Sequence, residues 1–153
     1  MLCGEDGLFP GDFNSWEGKV VNAELERTGT VAWYRNPARA SQDSLGVTYE
    51  EGGDTKIVRP DFIFFAQLDD GSIVADLVDP HGIQFGDALP KLKGLAEYAE
   101  ANAGMFRRIE VVAEVGGTFR TIDLTETSAR AAVKSASTVK EVYESEVAHD
   151  YVM

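Results

Sequence analysis

Lys56-Ile57-Val58-Arg59-Pro60-Asp61-Phe62-Ile63-Phe64-Phe65, then Leu68-Asp69-Asp70-Gly71, then Ser72-Ile73-Val74-Ala75-Asp76-Leu77-Val78-Asp79-Pro80-His81, is the stretch on which the fold turns. Two runs rich in β-branched and aromatic residues flank an Asp-Gly pair, the signature of an antiparallel hairpin. Alternation along the second run puts Ile73, Ala75, Leu77, Asp79 and His81 on one face and Asp76 on the other. Asp61 lies near the start of the first strand and Asp79 near the end of the second, so antiparallel pairing sets the two carboxylates side by side. A carboxylate desolvated without a partner is costly. Two of them ending neighbouring apolar strands point to a shared cation.

Outward from the hairpin, Asn14 with Glu17 three residues on forms a capping box. Trp16, Val20, Val21 and Leu25 recur at helical spacing, so a helix runs to about Glu26 and stops at Thr28-Gly29. Thr30 to Tyr34 reads as a strand ended by Asn36-Pro37, residues 37–44 as a polar loop, and Leu45 to Tyr49 as a short strand. Glu50-Glu51-Gly52-Gly53-Asp54 turns into the central hairpin. Beyond His81-Gly82, Asp87 caps a helix to about Ala101, with Leu89, Leu92, Leu95, Ala96 and Ala99 on one face and Pro90 tolerated in the first turn. Arg108–Val115 and Thr118–Leu124 form a second hairpin through Gly116-Gly117. Thr125 to about Val147 is helical, in two pieces with Thr138 and Glu141 boxing the second. The order α-β-β-β-β-α-β-β-α predicts a mixed α/β (α+β) domain over 14–147, a central sheet flanked by helices, with a loose leader at 1–13 and a tail at 148–153.

The chain has 153 residues, enough for one hydrophobic core. Its one cysteine, Cys3, excludes an internal disulfide and sets a reducing compartment as the default. No signal peptide or membrane-length apolar run is present, so a cytoplasmic, soluble protein is expected, with no membrane partner. The 26 acidic and 14 basic residues give a net charge of −12, the wrong sign for autonomous binding to a phosphate backbone. Nucleic-acid affinity in such a chain has to come from a metal, a local patch or a partner.

Ser15-Trp16-Glu17, Val31 to Asn36, Val47-Thr48-Tyr49, Pro60-Asp61-Phe62-Ile63 and Val78-Asp79-Pro80-His81-Gly82, with the helix holding Lys91, occur in an order that resembles the PD-(D/E)xK nuclease superfamily. More narrowly, the pattern resembles the nuclease end of type III restriction enzymes and related helicase-nucleases, over residues 14–124. The resemblance implies a restriction-endonuclease-like domain that hydrolyses phosphodiester bonds in double-stranded DNA with Mg²⁺ or Mn²⁺. It also implies a helicase or translocase partner. The chain has no phosphate-cradling Gly-rich Lys-Ser/Thr loop, so that motor belongs to another polypeptide or an upstream domain. The family's lysine two residues after the second acid is replaced here by His81.

On that reading Asp61 and Asp79 are metal ligands, with the Pro80 carbonyl as a third. His81 orients or deprotonates water, Glu17 is an outer or second-metal carboxylate, and Lys91 reaches back to supply the missing positive charge. Each residue also has a plain structural reading. Glu17 serves the capping box, Asp61 ends a strand, Asp79-Pro80 starts a turn, His81 is an ordinary structural histidine, and Lys91 is a solvated helix lysine. Arg35-Asn36 with Arg39 and Gln42 reads either as a phosphate contact or as a surface loop. The alternative to a nuclease is a nuclease-shaped scaffold that has lost catalysis and serves as an interaction module.

Overall fold

The computed structural model describes Glu5 and residues 12–151. Most of the stretch expected as a leader, Cys3 included, falls outside the described residues. Its last residue, Phe13, packs its ring 5.7 Å from Trp33 and 5.9 Å from Phe62, and so joins the core.

The described residues form a mixed α/β fold, with a six-stranded mixed sheet, a separate two-stranded hairpin and four helices. In chain order these are α1 (Ser15–Glu26), β1 (Thr30–Arg35), β2 (Val47–Glu51), β3 (Asp54–Val58), β4 (Phe62–Gln67), β5 (Ile73–Pro80), α2 (Ala88–Ala101), β6 (Arg108–Val115), β7 (Thr118–Asp123), α3 (Thr127–Ser135), α4 (Val139–Tyr143) and β8 (Ala148–Asp150). The main sheet runs β1-β4-β5-β6-β7-β8. Only the β5–β6 pair is parallel, because α2 carries the chain across the sheet between them. The remaining pairs are antiparallel.

The capping box forms as expected. Asn14 Oδ1 accepts from the Glu17 N–H at 2.9 Å, and Glu17 Oε2 accepts from the Asn14 N–H at 2.9 Å. The β4–β5 hairpin turns at Gly71, whose φ of 82° only glycine adopts at low cost. Asp70 stiffens this turn by accepting from the Ser72 N–H and hydroxyl. Thr138 caps α4 by accepting from the Glu141 N–H at 3.2 Å, so the C-terminal helical region is indeed in two pieces.

Three expectations need correction. Lys56–Phe65 is not one strand: β3 ends at Val58, and β4 begins at Phe62 in a different sheet. Pro60 has no N–H to give a ladder, which suits it to the break. Gly52-Gly53 therefore closes the β2–β3 hairpin rather than leading into the central one. The tail is not structureless, since Ala148–Asp150 pairs with Arg120–Ile122 at the sheet edge.

Two cores lie on opposite faces of the sheet. On one face α1 packs Val20, Val21 and Ala23 on Phe62, Phe64, Val78 and Val112. On the other, α2, α3 and α4 cover Leu77, Ile109, Val111, Ala113 and Ile122. The β2–β3 hairpin seats on α2 at Gly94, where a Cβ would meet Tyr49 Cβ at 2.5 Å. Among the described residues, no helix is long and apolar enough to cross a membrane.

Candidate functional site

The hairpin register pairs Phe62 with Val78, which leaves Asp61 and Asp79 facing each other at adjacent strand ends. The Asp61 N–H donates to Asp79 Oδ1 at 3.0 Å. Asn36 holds this corner in place. Its N–H donates to the Asp61 carbonyl at 2.8 Å, and its side-chain NH₂ donates to the Pro60 and Leu45 carbonyls at 2.8 Å. Asn36 is therefore a buried brace for Asp61, not the phosphate contact considered from sequence.

Asp79 is buried, whereas Asp61 is only partly so. Burial pushes the Asp79 carboxyl up, and the neighbouring Asp61 charge pushes it further. The Asp61 N–H and Lys91 offset this only in part. Asp61 is also raised by burial, with Arg35 opposing and Glu17 adding to the rise. Two acids that both resist ionising form a site short of positive charge.

Arg35 does not cure the shortage. Its guanidinium lies 2.6 Å from Glu17 Oε1 but 3.8 Å from Asp61 Oδ1, so it belongs first to Glu17. It lies over the Phe13 and Phe62 rings, 5.6 and 5.0 Å from their centres. Burial raises the Glu17 carboxyl, but the hydrogen bonds from Arg35 and the Asn14 N–H outweigh it and hold the group below its ordinary range. Glu17 thus does its capping work, is linked to Asp61 through Arg35, and adds its own charge to the rise at Asp61.

His81 continues β5 by donating its N–H to the Val112 carbonyl at 2.7 Å. Burial, and then Lys91, hold its imidazole below the ordinary range, so it is neutral at pH 7; Asp87 opposes weakly. His81 Nε2 is buried without a hydrogen-bond partner. Lys91 forms an i, i+4 pair with Asp87 at 2.6 Å, and its charge also reaches Asp79 and His81. The structure thus gathers Asp61, Asp79, His81 and Lys91, with Pro80 between the second acid and the histidine. A cleft of about 440 Å³ opens beside them, walled by Trp16 and Phe85, with His81 and Lys91 in its lining.

A second acidic cluster was not foreseen. Asp76, set aside from sequence because it points to the opposite face, is 1% exposed and salt-bridged to Arg107 and Arg108. Arg108 also binds Glu24 at 2.8 Å and Glu110 at 2.5 Å, and the Tyr151 hydroxyl donates to Glu24 at 2.6 Å. The available signal was Glu24 at the spacing of the buried residues Val20 and Val21, together with the Arg107-Arg108 pair opening an apolar strand.

The fold and site define a mixed α/β protein with an uncompensated dicarboxylate where a hairpin meets a helix-lined cleft. The chain belongs to the YagJ family, whose pattern matches residues 1–152. It is similar to Protein YagJ of Escherichia coli (strain K12), with 49% identity over 151 residues. The match covers 99% of this chain and 62% of that protein, so the chain spans about three-fifths of the relative's length. No solved structure gives a significant match.

Proposed function

We propose that the chain is a metal-dependent endonuclease domain with a restriction-endonuclease-like architecture, hydrolysing phosphodiester bonds in DNA. The observation that carries this reading is the Asp61–Asp79 pair, two carboxylates in register whose proton affinities are both raised by burial and, at Asp79, by mutual repulsion. Support also comes from the chain path. Helix α1, the meander β1-β4-β5, the crossover helix α2 and the parallel strand β6 follow the order of elements on which the nuclease resemblance rests.

The donor set fits a hard divalent cation, Mg²⁺ or Mn²⁺. Asp61 and Asp79 would hold it, with the Pro80 carbonyl. Among the described residues no group of three or more His, Cys, Asp or Glu side chains is gathered for a metal. Two carboxylates plus water and a carbonyl suit Mg²⁺, which keeps several waters. A bound cation would stabilise the negative charge that develops on the phosphate and lower the pKa of an attacking water. His81, neutral and with Nε2 free, is set to accept a proton. Lys91 supplies the ammonium that His81 lacks. A helicase or translocase, in another polypeptide or in the additional length seen in the relative, would deliver DNA.

A second reading, an interaction module without catalysis, is favoured by His81 in the usual lysine position and by the net charge of −12. Plasmid cleavage by the purified chain with Mg²⁺ or Mn²⁺ separates the two. Cleavage by the wild type, lost in folded Asp61→Ala and Asp79→Ala variants, is the expected result. Undiminished cleavage in either folded variant refutes the site, and an inert wild type favours the second reading.

A further inference from the structure

We infer that the cleft beside the dicarboxylate holds an unpaired nucleobase, so that the domain engages DNA where a strand is single rather than along an intact duplex. The inference rests on the nuclease reading for its ligand class and adds the form of the substrate. Phe85 is 60% exposed, an unusual position for a large aromatic residue, and its ring lies against Gly82, where a Cβ would meet it at 2.6 Å. Trp16, also in the lining, is half-buried, its indole edge-on to Phe119 at 5.5 Å and 77°. Two aromatic residues lining one cavity offer the kind of stacking surface that unpaired bases use.

The polar lining fits the same occupant. Gln84 and Ser15 bring amide and hydroxyl groups for a base edge or sugar, and His81 and Lys91 lie toward the dicarboxylate, where the adjoining phosphate would sit. A cavity of about 440 Å³ is large enough to admit a base with its sugar. Charge points the same way. Among the described residues lining the cleft, Lys91 is the only lysine or arginine, and it is already paired with Asp87. A chain of net charge −12 gains little from the dense charge of a duplex, whereas stacking is indifferent to net charge.

The test is binding in EDTA, where no cation and no cleavage are needed. A fluorescein-labelled oligothymidine of about 12 nucleotides, a length within single-strand site sizes, is compared with its duplex. The expected result is tighter binding of the single strand, with quenching of tryptophan emission and little dependence on salt. Phe85→Ala should weaken single-strand binding by about five- to hundredfold, and Phe85→Tyr should restore it. Equal affinity for both forms, or an unchanged affinity in Phe85→Ala, overturns the inference even if plasmid cleavage is present. Selective, Phe85-dependent binding without cleavage upholds it and tells against the nuclease reading instead.

Discussion

Replacing Asp79 by Asn isolates the charge shortage at the site, because Asn keeps an acceptor for the Asp61 N–H and removes one ionisable group. Asp79 is pushed up to about 8 and Asp61 to about 6, against an ordinary value of 3.8 for each. An acid whose folded pKa exceeds its unfolded one makes the folded chain hold more protons than the unfolded chain between those values. Stability is then greatest at the acidic end and falls as pH rises through the window. One extra proton held across the interval from about pH 5 to about pH 7.5 is worth at most about 3.4 kcal/mol, at about 1.4 kcal/mol per tenfold in proton activity. Relaxation and water penetration at an effective dielectric near 20 reduce this to about 1–3 kcal/mol. Asp79→Asn in EDTA should therefore gain on the wild type as pH rises over that interval, a difference of about 3–10 °C in Tm for a domain of this size. Thermal denaturation of both proteins across that range is the assay. The difference curve removes the contribution of Glu110, pushed up to about 7 in both proteins. At the alkaline end Mg²⁺ should restore the wild type by about 2.7 kcal/mol at a hundred times its Kd and leave the variant unmoved. Parallel pH curves for the two proteins refute the reasoning, since Asp79 would then carry no uncompensated charge.

Two further outcomes follow from packing elsewhere. Tyr151→Phe removes a 2.6 Å hydrogen bond to the fully buried Glu24, which keeps its arginine partners. It should cost about 1.5–3 kcal/mol in urea unfolding with an unchanged m-value, and a loss below about 0.5 kcal/mol would show that the C-terminal strand does not clamp α1. Gly94→Ala should destabilise by about 1–3 kcal/mol despite alanine's better helix propensity, because the new Cβ would meet Tyr49 Cβ at 2.5 Å and the Thr48 carbonyl oxygen at 2.8 Å. A neutral or stabilising effect in chemical denaturation would mean that the β2–β3 hairpin lifts away from α2 without penalty.

What could be read from sequence was what local chemistry determines. The Asn14–Glu17 box, the Asp-Gly turn and the apolar face of α2 each depend on residues within a turn or two of one another, and each formed as expected. The Asp61–Asp79 meeting was legible for the same reason, since a short hairpin sets its own register. The division at Pro60 was not. Both halves of Lys56–Phe65 carry strand composition, and what assigns them to different sheets is the tether from Asn36, 24 residues from Pro60 in sequence, and the seat on Gly94. The capture of Glu17 by Arg35 spans 18 residues, and that of Glu24 by Tyr151 spans 127. β8 is three residues long, too short for alternation to show against a polar background.

The two acidic clusters make an argument by contrast within one sheet. Asp76 and Glu24 are carboxylates drawn into the protein, and Arg27, Arg107 and Arg108 come to meet them, while Glu110 beside Arg108 is still pushed up to about 7 by burial. Burial raises the Asp76 carboxyl, yet the two hydrogen-bonding arginines outweigh it and hold the group below its ordinary range. This fold can therefore bring guanidinium groups to buried acids on the α1 face. Three residues further along the same strand, on the other face, Asp79 has a second acid as its hydrogen-bonding neighbour, while the nearest arginine is committed to Glu17. A purely structural pair would gain stability from any substitution that removed the repulsion. A buried acid pair whose proton affinities are both raised costs stability as pH rises, and such perturbed pairs cluster at functional sites. The open cleft lies at the end of β5, where Pro80, the neutral His81 and Lys91 join Ser15 and Trp16 of α1 in its lining, next along the chain from Asp79. The shortage of positive charge and the space for a ligand thus occupy the same corner of the molecule, and a divalent cation together with a phosphate-bearing ligand would satisfy both.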